Sequence, residues 1–315
     1  MKRDPNVIKL ATRGSKLALA QSGRVAGMIE ALNPGVRVVL HQVTTSGDLI
    51  RGPLSEHGGK GLFTKEIERA LLDGRADVAV HSFKDVPVTM PLIHEAADLL
   101  TIAAVPTRED VRDVLIHAHE NAEGWDHLGD DEREEAGLKL LEPGYRVGTS
   151  SPRRAALVKD WMQNWSPVEL RGNVDTRLAK MKAGEVDAIL LARAGLMRLG
   201  LSESFNTHVL DPAVFVPAAG QGALAVQCRG DDERTRERLA KLDDARTRRC
   251  VTLERAVVEA LDGDCHSPIG AWADGPIGGK AVLQIAWERD GMLQRVRAVA
   301  DGNTLPDDLV AQLRG

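Results

Sequence analysis

Gly74-Arg75-Ala76-Asp77-Val78-Ala79-Val80 is echoed further along the chain by Gly184-Glu185-Val186-Asp187-Ala188-Ile189-Leu190. Each copy is a helix stop followed by an apolar run of buried-strand length, and each carries Asp at the same place. Glycine suits the end of a helix because it tolerates positive φ. An unbroken apolar run suits a parallel strand covered on both faces. Reading outward from the first copy, Val7-Ile8-Lys9-Leu10-Ala11 alternates as a strand and Thr12-Arg13-Gly14-Ser15 follows. Leu17, Ala20, Val25, Met28, Ile29 and Leu32 then share one helical face, and Asn33-Pro34-Gly35 stops the helix. Val36 to Val43 reads as a second strand. A glycine-rich loop, Gly58-Gly59-Lys60-Gly61, leads to a helix near 64–73, and Ala76 to Ser82 makes a third strand.

The order recurs around the second copy. Tyr145 to Gly148 reads as a strand, with Ser151 as N-cap and Pro152 at the first helical position. Ala155, Val158, Met162 and Trp165 mark a helical face. Val168-Glu169-Leu170 reads as a strand, Val174, Leu178 and Met181 line a helix, and Val186 to Leu191 closes the unit. The inference is two α/β domains of like design, each a βαβαβ unit. Pairs of this kind bind ligands at strand C-termini and helix N-termini. The tail differs. Residues 231–261 read as helical, with Cys250, Leu253, Val257 and Ala260 on one face. Strand patterns at 269–273, 280–287 and 293–300 follow, with Asp290-Gly291 as a hairpin turn and a last helix at 305–313.

The 315 residues suffice for two or three domains, and the 3% aromatic share means cores of Leu, Val, Ile and Ala. A net charge of −5 disfavours a general nucleic-acid binder. No stretch reaches the ~20 apolar residues of a membrane span, and no apolar signal core is present, so a cytoplasmic protein is expected. Cys228, Cys250 and Cys265 form neither a CxxC nor an even set, which argues against disulfides and a structural zinc. Residues 117–142 form an acidic excursion. His117, His119 and His127 there lack any pattern that supports a metal, and none is expected.

The basic residues concentrate at βα junctions. Arg13, Lys60, Lys84, Arg153, Arg154, Arg171 and Arg177 all sit there, so a ligand with several carboxylates or phosphates is expected. Asp85 ends an apolar strand beside Lys84. It reads either as a carboxylate that offsets a developing cation or as a loop residue capping the turn before Pro87. Cys228 and Cys250 read as packing residues. Cys265, in a loop before His266, reads either as a placed, functional thiol or as an ordinary loop cysteine.

Together these segments resemble the porphobilinogen deaminase (hydroxymethylbilane synthase) family. The resemblance rests on Ala11-Thr12-Arg13-Gly14-Ser15, Gly58-Gly59-Lys60-Gly61-Leu62-Phe63 and Val80-His81-Ser82-Phe83-Lys84-Asp85-Val86-Pro87. It continues through Gly148-Thr149-Ser150-Ser151-Pro152-Arg153-Arg154, Leu170-Arg171-Gly172-Asn173-Val174, Pro217-Ala218-Ala219-Gly220-Gln221-Gly222-Ala223 and Cys265-His266-Ser267-Pro268-Ile269-Gly270. It runs from about residue 7 to 290, in the family's order.

The resemblance implies two type II periplasmic-binding-protein-like domains and a small C-terminal α+β domain. Its boundaries would be 1–101 with 222–241, then 105–217 carrying the acidic insertion, then 244–315. It implies a transferase that joins four porphobilinogen molecules, each losing ammonia to give an azafulvene-type cation, and releases a linear tetrapyrrole. Cys265 would carry a dipyrromethane cofactor through a thioether. Asp85 and Lys84 would be catalytic. Arg13, Ser15, Lys84, Asp85, Thr149, Ser150, Ser151, Arg153, Arg154, Arg171 and Gly172 would hold the cofactor, and Arg13, Lys60, Phe63, Arg153, Arg177 and Gln221 the substrate. A monomer without nucleic-acid or membrane partners is implied. Glu56, Asp264 and His266 depart from the family's usual residues, and Asp264 would tend to raise the Cys265 thiol pKa. A solute-binding protein of the two-lobed design and an inactive family member are the rival readings. The lack of a secretion signal or DNA-binding segment argues against the first, and retention of Asp85 and Cys265 against the second.

Overall fold

The computed structural model describes residues 4–46, 64–88, 99–117, 144–162, 164–202, 204–205, 207–264 and 266–314. The chain divides into two compact units, residues 1–109 with 223–252 and residues 110–222 with 253–315.

Unit 1 begins with β1 (Val7–Thr12), α1 (Lys16–Leu32) and β2 (Arg37–Gln42). After these come α2 (Lys65–Leu72), β3 (Val78–Ser82) and β4 (Leu100–Ala104). β1 pairs in parallel with both β2 and β3. The chain returns late to this sheet as β10 (Leu224–Arg229), which inserts antiparallel between β3 and β4. Ile8, Leu10, Val25, Ile29, Val78, Val80, Leu224 and Val226 share the core that α1 covers.

Unit 2 repeats the plan. It runs β5 (Asp113–His117), β6 (Arg146–Gly148), α3 (Pro152–Trp161), β7 (Ser166–Val168), α4 (Val174–Lys182), β8 (Ala188–Ala192), α5 (Arg193–Arg198) and β9 (Thr207–Val209). The two sheet orders, β2-β1-β3-β10-β4 and β7-β6-β8-β5-β9, match strand for strand. A third sheet, β11 (Ile269–Asp274), β12 (Lys280–Arg289) and β13 (Met292–Asp301), is antiparallel throughout and falls in unit 2. In chain order α6 (Glu233–Ala240) and α7 (Ala245–Ala260) follow β10 and precede β11, and α8 (Asp307–Arg314) comes last.

The echoed sequence has a physical basis. Gly74 and Gly184 both take positive φ, 67° and 78°, and end α2 and α4. The Asp77 N–H donates to Lys9 O at 2.8 Å while its Oδ2 accepts from Lys9 N–H at 2.9 Å. Asp187 makes the same pair of bonds with Arg146, at 3.0 and 2.8 Å. Asp77 thus fastens the entry of β3 to β1, and Asp187 the entry of β8 to β6. Asp290 (φ 54°) and Gly291 (φ 76°) form the expected hairpin turn, both in the left-handed region.

Several details depart from the sequence reading. α3 ends at Trp161, where the Met162 N–H bonds Val158 O. Trp165 therefore lies beyond the helix, buried with its ring centroid 5.9 Å from that of Tyr145. β7 covers 166–168 rather than 168–170, and Leu170 instead fills the space beside Gly148. The 231–261 segment, read as helical, forms the two helices α6 and α7. β4, β5 and β9 were not foreseen, and His117 is a buried end of β5 rather than the start of the acidic excursion. Residues 118–142 of that excursion lie outside the described residues. So do Glu56, the Gly58–Gly61 loop, Lys60 and Phe63.

Candidate functional site

In unit 1 the candidate residues gather at the C-terminal ends of β1 and β3. The Ser15 hydroxyl accepts from the Ala18 N–H at 3.3 Å and caps α1, leaving half-buried Arg13 in the loop before it. Gln21, on the first turns of α1, donates to Ser82 Oγ at 2.9 Å. A single 3-10 turn, Phe83–Asp85, follows β3. The Phe83 N–H bonds Ala223 O at 3.0 Å, and the side chains of Phe83 and Val86 sink into a core with Val105, Ala225 and Val251. Both ends of the turn are therefore anchored, and Asp85 between them is held out to solvent beside Lys84. Behind the turn, buried His81 faces Gln227 Oε1 at 3.0 Å, and Gln227 Nε2 donates to buried Glu68 at 3.3 Å. That chain of bonds puts the His81 proton on Nε2. Burial pulls the His81 pKa down, against the Gln227 bond and the Asp85 charge.

In unit 2 the candidates gather at the N-termini of α3 and α4. Ser151 caps α3 by accepting from the Arg154 N–H at 3.4 Å, and Thr149 Oγ1 accepts from the Ser151 N–H at 3.1 Å. Arg153 and Arg154 are only 4% and 5% exposed, and both reach Asp113, which is fully buried at the start of β5. Arg154 Nε and Nη2 donate to Asp113 Oδ1 at 3.0 and 2.7 Å, and its Nη1 donates to Leu190 O at 3.0 Å. Arg153 Nη2 lies 2.8 Å from Asp113 Oδ2, and its Nη1 donates to Val216 O at 2.7 Å. Its Nε is buried with no hydrogen-bond partner among the described residues. Burial lowers the Arg153 pKa, Asp113 opposes that shift and Arg154 adds to it. Two guanidiniums and one carboxylate give this group a net positive charge at the N-terminus of α3, where the helix dipole also favours an anion.

The neighbouring loop is tied in the same way. Arg177 donates to Gly172 O at 2.8 Å and to the exposed Ser150 hydroxyl at 3.2 Å. Gly172 has φ 123°, and a Cβ there would lie 2.7 Å from Thr176. Half-buried Arg171 pairs with Glu169. Gln221 is buried and donates to Val111 O at 2.8 Å, a positioning bond within unit 2. The Gly220 N–H beside it donates to Glu254 Oε2 at 2.7 Å, while Glu254 Oε1 accepts from the Ala273 N–H at 2.9 Å.

Cys265 itself lies outside the described residues, but its flanks form a tight turn. Asp264 Oδ1 accepts from the His266 N–H at 2.9 Å and the Ser267 hydroxyl at 3.2 Å. The Asp264 charge is thus turned onto its own loop. Cys228 and Cys250 are buried, and burial pushes the Cys228 thiol up to about 11, as a packing residue requires. Among the described residues no cluster of three or more His, Cys, Asp or Glu is placed to hold a metal. No helix among them is long and apolar enough to cross a membrane.

Sequence reasoning missed Asp113, Glu254 and the His81–Gln227–Glu68 chain. One signal was available for Asp113. An acidic residue opening the apolar run Val114-Leu115-Ile116 needs a buried partner, and two arginines at a helix start are natural ones.

Residues 8–237 match the family model described as porphobilinogen deaminase, dipyromethane cofactor binding domain, and residues 248–292 match the porphobilinogen deaminase C-terminal domain. The chain belongs to the porphobilinogen deaminase family. Its relatives include the porphobilinogen deaminase of Sorangium cellulosum, 44% identical over 98% of this chain and 99% of that one. That of Syntrophobacter fumaroxidans is 46% identical over 85% of this chain and 80% of its own. Among solved structures, a probable amino-acid transporter binding protein of Bacillus subtilis aligns with a TM-score of 0.42 at 10% identity, over 75% of this chain and 89% of that one. The family is one of transferases of tetrapyrrole biosynthesis, and its cofactor domain is the one matched by both α/β sheets here.

Proposed function

We propose that this chain condenses four porphobilinogen molecules with loss of ammonia, building on a dipyrromethane primer fixed by a thioether to Cys265, and releases hydroxymethylbilane. The observation that carries the reading is the buried Arg153–Arg154–Asp113 group, with its net positive charge and its unsatisfied Arg153 Nε at a helix N-terminus. A dipyrromethane bearing acetate and propionate groups fits such a site by charge and by donor supply. When bound, it supplies a free pyrrole α-carbon as the nucleophile from which the chain grows.

The protein's own residues bind and orient. Arg153, Arg154, Arg171 and Arg177, with Thr149, Ser150, Ser151 and the Gly172 backbone, hold carboxylates in unit 2. Arg13, Ser15 and Lys84 do so in unit 1, joined by Lys60, Phe63 and Gln221 for the incoming substrate. Asp85, fixed outward by Phe83 and Val86, accepts pyrrole N–H groups and offsets the positive charge that develops as ammonia leaves. Lys84, its neighbour on the same turn, acts with it. We take the working protein to be a cytoplasmic monomer with no nucleic-acid partner, in keeping with its net charge of −5. Its domains would be 1–101 with 222–241, 105–217 and 244–315.

Intact-mass measurement of the denatured protein tests the reading. Protein made in a host that supplies porphobilinogen is expected to carry an adduct of two pyrrole units, and Cys265→Ser is expected to lack it. An unmodified wild-type mass would overturn the cofactor assignment.

A further inference from the structure

The two units provide an internal control for the buried charges. Sheet order and register make β10 of unit 1 the counterpart of β5 of unit 2. Leu224 pairs with Ser82 at the end of β3, as Asp113 pairs with Ala192 at the end of β8. Counted from the N-cap serines, Leu17 and Ala18 of α1 stand where Arg153 and Arg154 stand in α3. Unit 1 therefore builds this corner from Leu17, Ala18 and Leu224, and Leu224 is buried in its core. The fold does not require charge here. Burying three charged groups costs desolvation that an apolar trio avoids, so their presence calls for a role beyond stability.

We infer that Asp113 is a positioning residue, one that aims Arg153 and Arg154 at the anionic groups of the bound pyrroles without touching them. The inference rests on the proposed function for the identity of those anions. Its physical content is the sharing of one carboxylate. Arg154 has its Nε–Nη2 edge on Asp113 Oδ1, Arg153 has its Nη2 against Asp113 Oδ2, and each has its Nη1 fixed by a backbone carbonyl, Leu190 O or Val216 O. Rotation of either side chain is thereby suppressed. The single negative charge cancels only one of two positive charges, so the group is held together yet remains attractive to a carboxylate. A neutral residue at 113 would leave two adjacent cations repelling each other and free to turn. A second acid would cancel the attraction.

Asp113→Asn, Arg154→Gln and the double variant form a cycle read by KM and kcat for porphobilinogen, by thermal midpoint, and by the fraction of protein with the two-pyrrole adduct. Asp113→Asn is expected to raise KM about tenfold with kcat changed less than about threefold, since misaimed binding groups act on ground-state capture. In the Arg154→Gln background the same change is expected to cost less than about twofold, because coupled residues are not additive. Leu115→Ala, in the same strand and fully buried, is the control for destabilisation and is expected to lower the thermal midpoint with KM unchanged. The triple variant Arg153→Leu/Arg154→Ala/Asp113→Leu copies the corner of unit 1. It is expected to melt no lower than Asp113→Asn, while kcat/KM falls at least about 10³-fold and the adduct fraction drops.

An Asp113→Asn KM no higher than that of Leu115→Ala, or effects of Asp113→Asn and Arg154→Gln that simply multiply, would overturn the inference. So would a triple variant that does not fold. If Asp113→Asn is itself unfolded, the triple variant decides: folded but inactive supports the inference, unfolded overturns it. Wild-type protein without porphobilinogen turnover counts against the proposed function instead, and the thermal midpoints of the same cycle then report the Asp113–Arg154 coupling alone.

Discussion

Unit 1 and unit 2 share a frame down to single hydrogen bonds, yet they put opposite charges to use. Asp77 and Asp187 fasten β3 and β8 alike, and Ser15 and Ser151 cap equivalent helix starts, those of α1 and α3. Unit 1 then presents an exposed carboxylate, Asp85, on a turn anchored at both ends. Unit 2 buries two cations on one acid. The difference teaches that the βαβαβ frame fixes where a side chain emerges and leaves its chemistry open. The two units offer equivalent platforms, and different residues at a few corners place an exposed carboxylate on one and a buried pair of guanidiniums on the other.

The comparison breaks most visibly at Asp85. Asp85→Ala removes an exposed side chain that no core residue needs, so the thermal midpoint is expected to stay put while turnover falls at least ~10²-fold. Steady-state rates with a melting curve check it, and near-normal turnover would remove Asp85 from the chemistry. A smaller effect is expected at the strand ends. Ala11 and Gly148 occupy matching positions in β1 and β6, judged by their pairing with Ala79 and Ile189. A Cβ on Gly148 would lie 2.6 Å from Leu170 Cδ2, whereas Ala11 is fully buried without such a neighbour being forced aside. Gly148→Ala is expected to cost ~1–3 kcal/mol in chemical denaturation through overpacking. Ala11→Gly is expected to cost ~1 kcal/mol through lost packing and added chain freedom. An unchanged midpoint for Gly148→Ala would show that the two corners are not built to different tolerances.

The smallest expected effect is the acid sensitivity that His208 adds in unit 2. His208 in β9 stacks on His117 in β5, ring centroids 5.4 Å apart, where unit 1 has Ala104 and Cys228. Burial and the neighbouring His117 lower the His208 pKa to about 4. A histidine depressed below its unfolded value of about 6.5 stays neutral in the fold while the unfolded chain takes up a proton. Its cost to stability is therefore absent above pH 6.5 and grows as pH falls from 6.5 toward 4. His208→Gln is expected to flatten that decline by about 1 kcal/mol, after allowance for partial exposure. A pH titration of unfolding free energy with an identical slope in both proteins would count against it.

What was legible in the sequence was whatever is local. Gly74 and Gly184, the Ser151 cap and Asp290-Gly291 each act within a few residues, and the echoed Asp showed the duplication. Missing from the reading were features whose partners are remote. β4 and β5 pair with strands far along the chain, and the acid that binds Arg153 and Arg154 sits 41 residues before Arg154. The clustering of basic residues at βα junctions was visible, but not that two of them are buried on a shared carboxylate. Trp165 was placed on a helical face because helical spacing continued past the point where α3 stops. Leu170 was placed in a strand because nothing local says that Gly148 leaves room for it.

The position of β10 sets an order of events during synthesis. Among the described residues β4 pairs in its sheet with β10 alone, and β10 also pairs with β3. The first sheet therefore stays incomplete until residue 229 has left the ribosome. The second sheet draws all five of its strands from residues 113–209 and is complete earlier. The lobe that starts first finishes last, and a chain halted at Gly222 would carry a whole second sheet beside a first one with an unpaired edge, the kind of edge that invites aggregation.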